Sequence, residues 1–385
     1  MSLIANYAAK IGLRERRKNG RMPTRGIEAA YSVDENQKDA TIRDISPTGV
    51  CLASEDQLAV GSDVLVTLRR KPLDESDYGT EVSMPARVVR AGTKEVGLEF
   101  LHQHLDATAW SNLVLKAAEI SKGKDGVRVF RVARALAFLQ RISPATEPQF
   151  VKAITGAMSN DGAERALEIV VRAEGMVWQN GRGPRAGVDA RLVYRIVERG
   201  ANTDLCEAEM MGFWAGLLAA AAHEGVREQD CLESADMVSK LELSHLRILA
   251  AGCERAVSLG WGAGYELPQR VYYSATEIRK NTGARDMTAV ERGLNRLEEL
   301  GLLQKSQKLP IFEPVTEVDV TPTALGLNLY ARCIGRTRMP EVHIAGSKLE
   351  PETADAESEP EKESGQAPAW RGFRGARPWP GMSAG

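Results

Sequence analysis

The sequence is poor in the residues that build metal and disulfide sites: five cysteines and five histidines in 385 residues. Cys51, Cys206, Cys231, Cys253 and Cys333 are odd in number, widely spread, and include no C-x-x-C pair. That pattern speaks against a disulfide framework or zinc centre and for a reducing compartment. His102 and His104 are close in sequence, but no second cluster completes a ligand set, so no metal is expected. An excess of one charge is also missing. Fifty Lys and Arg against fifty-two Asp and Glu leave a formal charge of -2. No global field then draws the chain onto nucleic acid or membrane, and any anion site must be local.

Long apolar runs are absent as well. The longest, near Met210 to Ala222, is interrupted by Gly212 and Gly216, and a membrane span needs about 20 apolar residues. It reads as a core helix. Met1 to Leu13 has apolar stretches too short for a signal-peptide core, so the expected location is cytoplasmic. No nucleophile-elbow or metal-hydrolase spacing occurs, and Gly181-Arg182-Gly183-Pro184 lacks the Lys-Ser/Thr of a P-loop. No catalytic residues and no cofactor are expected.

What is present divides into parts, because 385 residues exceed one ordinary core. Ile27 to Val33, Lys38 to Ile45, Gly49 to Ala53, Asp63 to Leu68, Val82 to Val89 and Glu95 to Leu101 read as strands. Asp34-Glu35-Asn36, Ser46-Pro47-Thr48-Gly49, Gly61, Asp74 to Gly79 and Gly92 separate them. Six short strands at this spacing predict a small closed barrel. Asp106 to Ser121 reads as an amphipathic helix with Trp110, Leu113, Val114 and Ala117 on one face. From Val127 helical periodicity takes over, punctuated by Pro144, Gly175, Gly181 to Gly187 and Gly260 to Gly264. Ser274 to Arg338 reads as a winged-helix-like module. Its parts are a short helix Ala275 to Asn281, a helix capped by Asp286, wing strands at Leu302 to Lys305 and Glu317 to Val320, and a last helix opening with Pro322. An acidic run from Glu350 to Glu363, then arginines and tryptophans among glycines, predicts a disordered tail. The expected division is 1–122, 127–264, 265–338 and 339–385. The fold class is multidomain β plus α: a six-stranded barrel, then a helical region with the winged-helix-like end.

Chemistry concentrates before the first strand. Met1 to Arg25 carries Lys10, Arg14, Arg16, Arg17, Lys18, Arg21 and Arg25 against Glu15, a local charge of +6. Alone, such a run is a solvated arm or a nucleic-acid tail. It is followed, 23 residues after Arg21, by Asp44-Ile45-Ser46-Pro47-Thr48-Gly49, a D-x-S-x-x-G turn between two strands. Alone, that turn is explained by Asp and Ser capping their own backbone. Arg17-Lys18-Asn19-Gly20-Arg21 and this turn, in this order, resemble the signature of PilZ domains. Arg16, Pro23, Val96-Gly97-Leu98-Glu99-Phe100 and the helix around Trp110 agree with it, so the likeness covers about residues 10–120.

The resemblance implies a bacterial second-messenger receptor for cyclic di-GMP. Its site would be Arg16, Arg17 and Arg21 from the arm with Asp44, Ser46 and Gly49 on the barrel. The chemistry is suited to that ligand. Arginine forks match phosphate oxygens and the guanine O6/N7 edge, and their planes stack on bases. A carboxylate accepts from guanine N–H groups, and glycine permits positive φ or close backbone approach. The expected function is an effector that passes ligand occupancy through its helical half to a protein partner of unknown identity. The alternatives are a nucleotide-independent interaction scaffold and a cyclic di-GMP-tuned DNA-binding regulator.

Residues about 200–335 loosely resemble the abortive-infection alpha family, on the apolar spacing around Phe213-Trp214-Ala215-Gly216-Leu217-Leu218. DNA binding is the weaker expectation for the winged-helix-like end. Its candidate recognition helix mixes Arg292 and Arg296 with Glu291, Glu298 and Glu299, whereas groove readers concentrate cations. No membrane partner is expected.

Overall fold

The computed structural model describes residues 26–33, 36–70, 80–101, 105–121, 126–157, 160–179, 183–202, 208–260, 271–274, 286–305 and 317–337, with 279 and 282. The expected arm and tail lie outside them. Six strands form first: β1 (Ile27–Val33), β2 (Asn36–Ser46), β3 (Gly49–Ala53), β4 (Asp63–Arg70), β5 (Glu81–Ala91) and β6 (Val96–Phe100). They close into an antiparallel barrel in the order β1-β2-β3-β6-β5-β4, as the alternating apolar positions predict. Ile45, Leu52, Val66, Leu68, Ala86 and Val88 fill it and have no exposed surface. Closure pairs every strand on both sides and leaves no edge.

Helix α1 (Ala107–Ile120) follows, capped by the Asp106 side chain on the Ala109 N–H. Then come α2 (Gly126–Ile142), α3 (Glu147–Lys152), α4 (Asn160–Gln179), α5 (Ala190–Ala201), α6 (Ala208–Ala221), α7 (Glu228–Val238) and α8 (Leu243–Gly260). Beyond Lys152 the chain widens into a π-helical turn, Ala153–Ala157. Gly175, expected as a break, lies inside α4. Open space surrounds it, so the helix loses only its side-chain contribution there. The first turn of helix α7 is polar and carries no apolar period.

The C-terminal part has β7 (Val271–Ser274), α9 (Met287–Glu299), β8 (Leu303–Lys305), β9 (Glu317–Pro322) and α10 (Ala324–Cys333). The strands form an antiparallel sheet in the order β7-β9-β8. Strand β7 was not foreseen, and Ser274 ends it. The expected helix Ala275 to Asn281 falls outside the described residues, except Arg279. Pro322 closes β9 opposite Leu303 rather than opening a helix. Thr323 caps α10 through its hydroxyl on the Gly326 N–H. Helix α10 is held tightly. A Cβ at Gly216 of α6 would stand 1.8 Å from the Cys333 carbonyl oxygen, and one at Gly326 would stand 2.1 Å from that of Leu302.

Helix α2 joins the barrel to the bundle, and one apolar cluster runs through both. Ala30, Thr67 and Ser83 stand side by side on the outer surface of β1, β4 and β5. Thr67 and Ser83 share a 2.8 Å hydrogen bond. Strands β4 and β5 meet α2, and Arg134 of α2 donates to the Ser83 carbonyl at 2.6 Å. Phe130 of α2 meets Phe100 of β6 edge-to-face, with centroids 5.5 Å apart. On its other side α2 turns Arg131, 1% exposed, toward Glu168 and Glu164 of α4. Arg172 also pairs with Glu168, and Arg134 with Glu174. Burial alone would raise the Glu168 pKa, but Arg131 and Arg172 hold it below the usual carboxylate range.

Two outcomes follow. Glu168→Gln leaves a buried guanidinium short of its counter-charge and should destabilise the chain by about 3–5 kcal/mol, measured by urea unfolding. His245 at the start of α8 accepts from the Glu242 N–H through Nδ1, and Gly293 of α9 packs against its ring. Burial lowers its pKa. The folded state therefore resists a proton that the unfolded chain takes up near pH 6.5, so this contribution is full above that pH and lost as pH falls below it. The wild type should lose more melting temperature between pH 7.5 and 5.5 than His245→Asn does.

Candidate functional site

The D-x-S-x-x-G turn is the β2–β3 hairpin, with Ser46 paired to Gly49. Its carbonyls are individually fastened. Ser46 donates its hydroxyl to the Gly49 carbonyl at 3.1 Å, and the Phe100 N–H donates to Thr48 at 2.9 Å. Trp110 of α1, 1% exposed, donates its indole N–H to the Pro47 carbonyl at 2.7 Å. The Ser46 hydroxyl therefore shapes the turn. Gly49 is required by proximity and not by positive φ: a Cβ there would stand 2.3 Å from the Leu98 carbonyl oxygen.

Beside the turn, pairing aligns outer-surface residues in two rows. One runs Ser46–Gly49–Glu99–Arg87, and the next runs Asp44–Cys51–Gly97–Arg90. Asp44 is half-buried. Ser46, Gly49, Cys51 and Gly97 are all small, so the surface between Asp44 and Arg90 is a low floor. Both flanking strands are bulged at this level. Register shifts between Ile42 and Asp44 in β2 and between Val88 and Arg90 in β5. A bulge turns consecutive side chains to one surface. Arg43 joins Asp44 outside, and Val89, 50% exposed, joins Arg90. Arg43 and Arg90 each lie 2.8 Å from Glu95 in the β5–β6 hairpin. Arg87 is committed to Asp63, at 2.8 and 3.4 Å. The rows lie on β2, β3, β6 and the end of β5 beyond Ser83, so β5 and β6 serve both this surface and α2.

Residues 15–114 match the family model of the PilZ domain. The match takes in both sequence motifs, the barrel and Trp110. The PilZ family is one of cyclic di-GMP-binding effector domains that are generally non-catalytic. A crystal structure of an uncharacterized protein from Legionella is similar at 20% identity, covering 26% of this chain and 94% of that one with a TM-score of 0.18. No curated protein matches the chain.

On the PilZ barrel, Asp44, Ser46 and Gly49 are brought together at one hairpin. Arg16, Arg17 and Arg21 lie outside the described residues. Arg43, Arg90 and Glu95 were missed from sequence, although a signal existed. Ile42 and Ile45 both face the core at a spacing of three, which a regular strand forbids and a bulge requires. A second cleft, about 470 Å³, opens at the barrel end between Lys38, Arg43, Asp56 and Lys94. Lys38 bonds Asp56 at 2.8 Å, and this bond with that from Tyr31 lowers the carboxyl pKa. Among the described residues no group of His, Cys, Asp and Glu has metal-site geometry, and no helix is long and apolar enough to cross a membrane. Burial pushes the thiols of Cys231 and Cys333 up to about 11 and about 12, which disfavours the reactive thiolate at neutral pH.

Gly49→Ala places a methyl against the β6 carbonyl, which neither backbone can yield without breaking pairing. It should cost about 1–3 kcal/mol, read as a lower urea midpoint of barrel unfolding.

Proposed function

We propose that this protein is a cyclic di-GMP receptor in which Arg17 and Arg21, with Arg16 beside them, clamp the ligand onto the barrel surface at Asp44, Ser46 and Gly49. The observation that carries the reading is the low floor of Ser46, Gly49, Cys51 and Gly97 beside Asp44, on a barrel whose matched family binds this ligand. A flat guanine needs a low surface and an acceptor for its N–H groups; small Ser46 and Gly49 with Asp44 suit both, while the Arg90 side chain lies over Gly97 and Cys51. Arginines at i and i+4 in a preceding arm supply the phosphate and stacking contacts a barrel wall cannot wrap around.

Occupancy would reach the helical region through strands shared by both surfaces. Strand β6 carries Gly97 at the floor and Phe100 at α2; β5 carries Arg90 at the floor and Ser83 under Arg134. A protein partner would read the helical half. The DNA-binding alternative is less favoured, because two of the cations around α9 are paired, Arg296 with Glu299 at 3.2 Å and Lys305 with Glu298 at 3.3 Å, while Arg292 bonds the Thr288 carbonyl of its own helix.

Calorimetric titration of the full chain with cyclic di-GMP should show saturable binding that Arg21→Ala abolishes while the circular dichroism spectrum stays unchanged. A folded wild type that evolves no binding heat at saturating ligand would remove the receptor reading and leave the scaffold one.

A further inference from the structure

We propose that Arg90 is a third arginine of this site, supplied by the barrel itself, and that Glu95 holds it and Arg43 in the arrangement that a ligand phosphate takes over. The inference rests on the cyclic di-GMP reading above and extends it to residues outside both sequence motifs.

The placement of Arg90 is specific. Its side chain crosses β6 over the one residue with no side chain to obstruct it. A Cβ at Gly97 would lie 3.3 Å from Arg90 Cβ and 3.7 Å from its Nε. The guanidinium then reaches β3, with Nη2 3.7 Å from the Cys51 sulfur. Cys51 is the cross-strand partner of Asp44. Arg90 therefore lies over the same floor as the predicted guanine acceptor, facing it across β3 and β6. The β5 bulge makes this possible by turning Arg90 and Val89 outward together, and bulges gather where a strand must re-aim a side chain at a site.

Glu95 explains how the guanidinium is held. One carboxylate oxygen lies 2.8 Å from Arg90 Nη2 and the other 2.8 Å from Arg43 Nη1. Two arginines sharing the two oxygens of one anion is also the geometry in which arginines take the two non-bridging oxygens of a phosphodiester. Arg43 and Arg90 are exposed and Glu95 is half-buried, so these ion pairs stay in reach of solvent and contribute modestly to stability. A phosphate brings the same charge and stronger acceptor geometry, and Glu95 then turns to water. Arg87, one row away, is not equivalent, because Asp63 engages it through two bonds.

The test is titration of full-length wild type, Arg90→Ala, Arg90→Lys and Glu95→Gln with cyclic di-GMP, with circular dichroism and melting temperature as fold controls. Arg90→Ala should weaken binding roughly tenfold to a hundredfold, the loss of one charge-assisted contact, and Arg90→Lys should recover only part of it. Glu95→Gln removes the competing anion and should tighten binding several-fold. Wild-type binding with Arg90→Ala unchanged overturns this proposal and leaves the receptor reading standing. So does a folded Glu95→Gln that binds as poorly as Arg90→Ala, since Glu95 would then support the ligand complex. A folded wild type that takes up no dinucleotide overturns both.

Discussion

Arg131 carries a full charge between a barrel and a helical bundle, and 1% of its surface is exposed. Burial lowers its pKa, against the pull of Glu168 and Glu164, and the ion remains there because those carboxylates come from one helix at fixed spacing. That spacing in turn fixes how α2 lies along α4. With α2 fixed, Arg134, one turn along from Arg131, reaches the Ser83 carbonyl of the barrel, where Ala30, Thr67 and Ser83 are small enough to admit a helix. The barrel thus has one side covered and one side open. The position of the candidate site is a consequence of that division.

The open side is built from omissions. Gly49 and Gly97 admit, respectively, a neighbouring carbonyl and an arginine that any side chain would displace. Two bulges at the same level place charged groups at the rim of the floor. The flat part of the surface suits a planar base, and the rim suits an anion. On the proposed reading, recognition of a nucleotide would divide along the same line, with shape carried by backbone and charge by long side chains.

Much of this could be read from residue order. The strand runs from Ile27 to Leu101, the capping Asp106 and Asp286, and the apolar stripe of α9 obey simple periodicities, so barrel and helices were legible. The errors occurred where a tertiary partner overrode a local rule. Gly175 looks like a break, yet it lies inside α4 with open space around it, where no contact depends on its lacking a side chain. Pro322 looks like a helix start, but it ends a strand that Leu303 pairs. Asp44, Ser46 and Gly49 could be singled out because they lie within six residues of one another. Arg43, Arg90 and Glu95 were not, because they meet only when β2, β5 and the β5–β6 hairpin close around β3 and β6. Their trace in the sequence is a broken alternation, Ile42 to Ile45 and Val88-Val89.

The indole of Trp110 reaches back 63 residues to the Pro47 carbonyl. The autonomous barrel therefore does not stop where its last strand stops. A fragment ending at Phe100 would keep all six strands and lose the donor that fastens the hairpin carrying Asp44 and Gly49. One ending at Ile120 would regain it but strip α1 of α2, the helix packed against it. Cutting the chain after the last strand is thus a poor way to study the hairpin, since the helix whose indole fastens it lies beyond that strand.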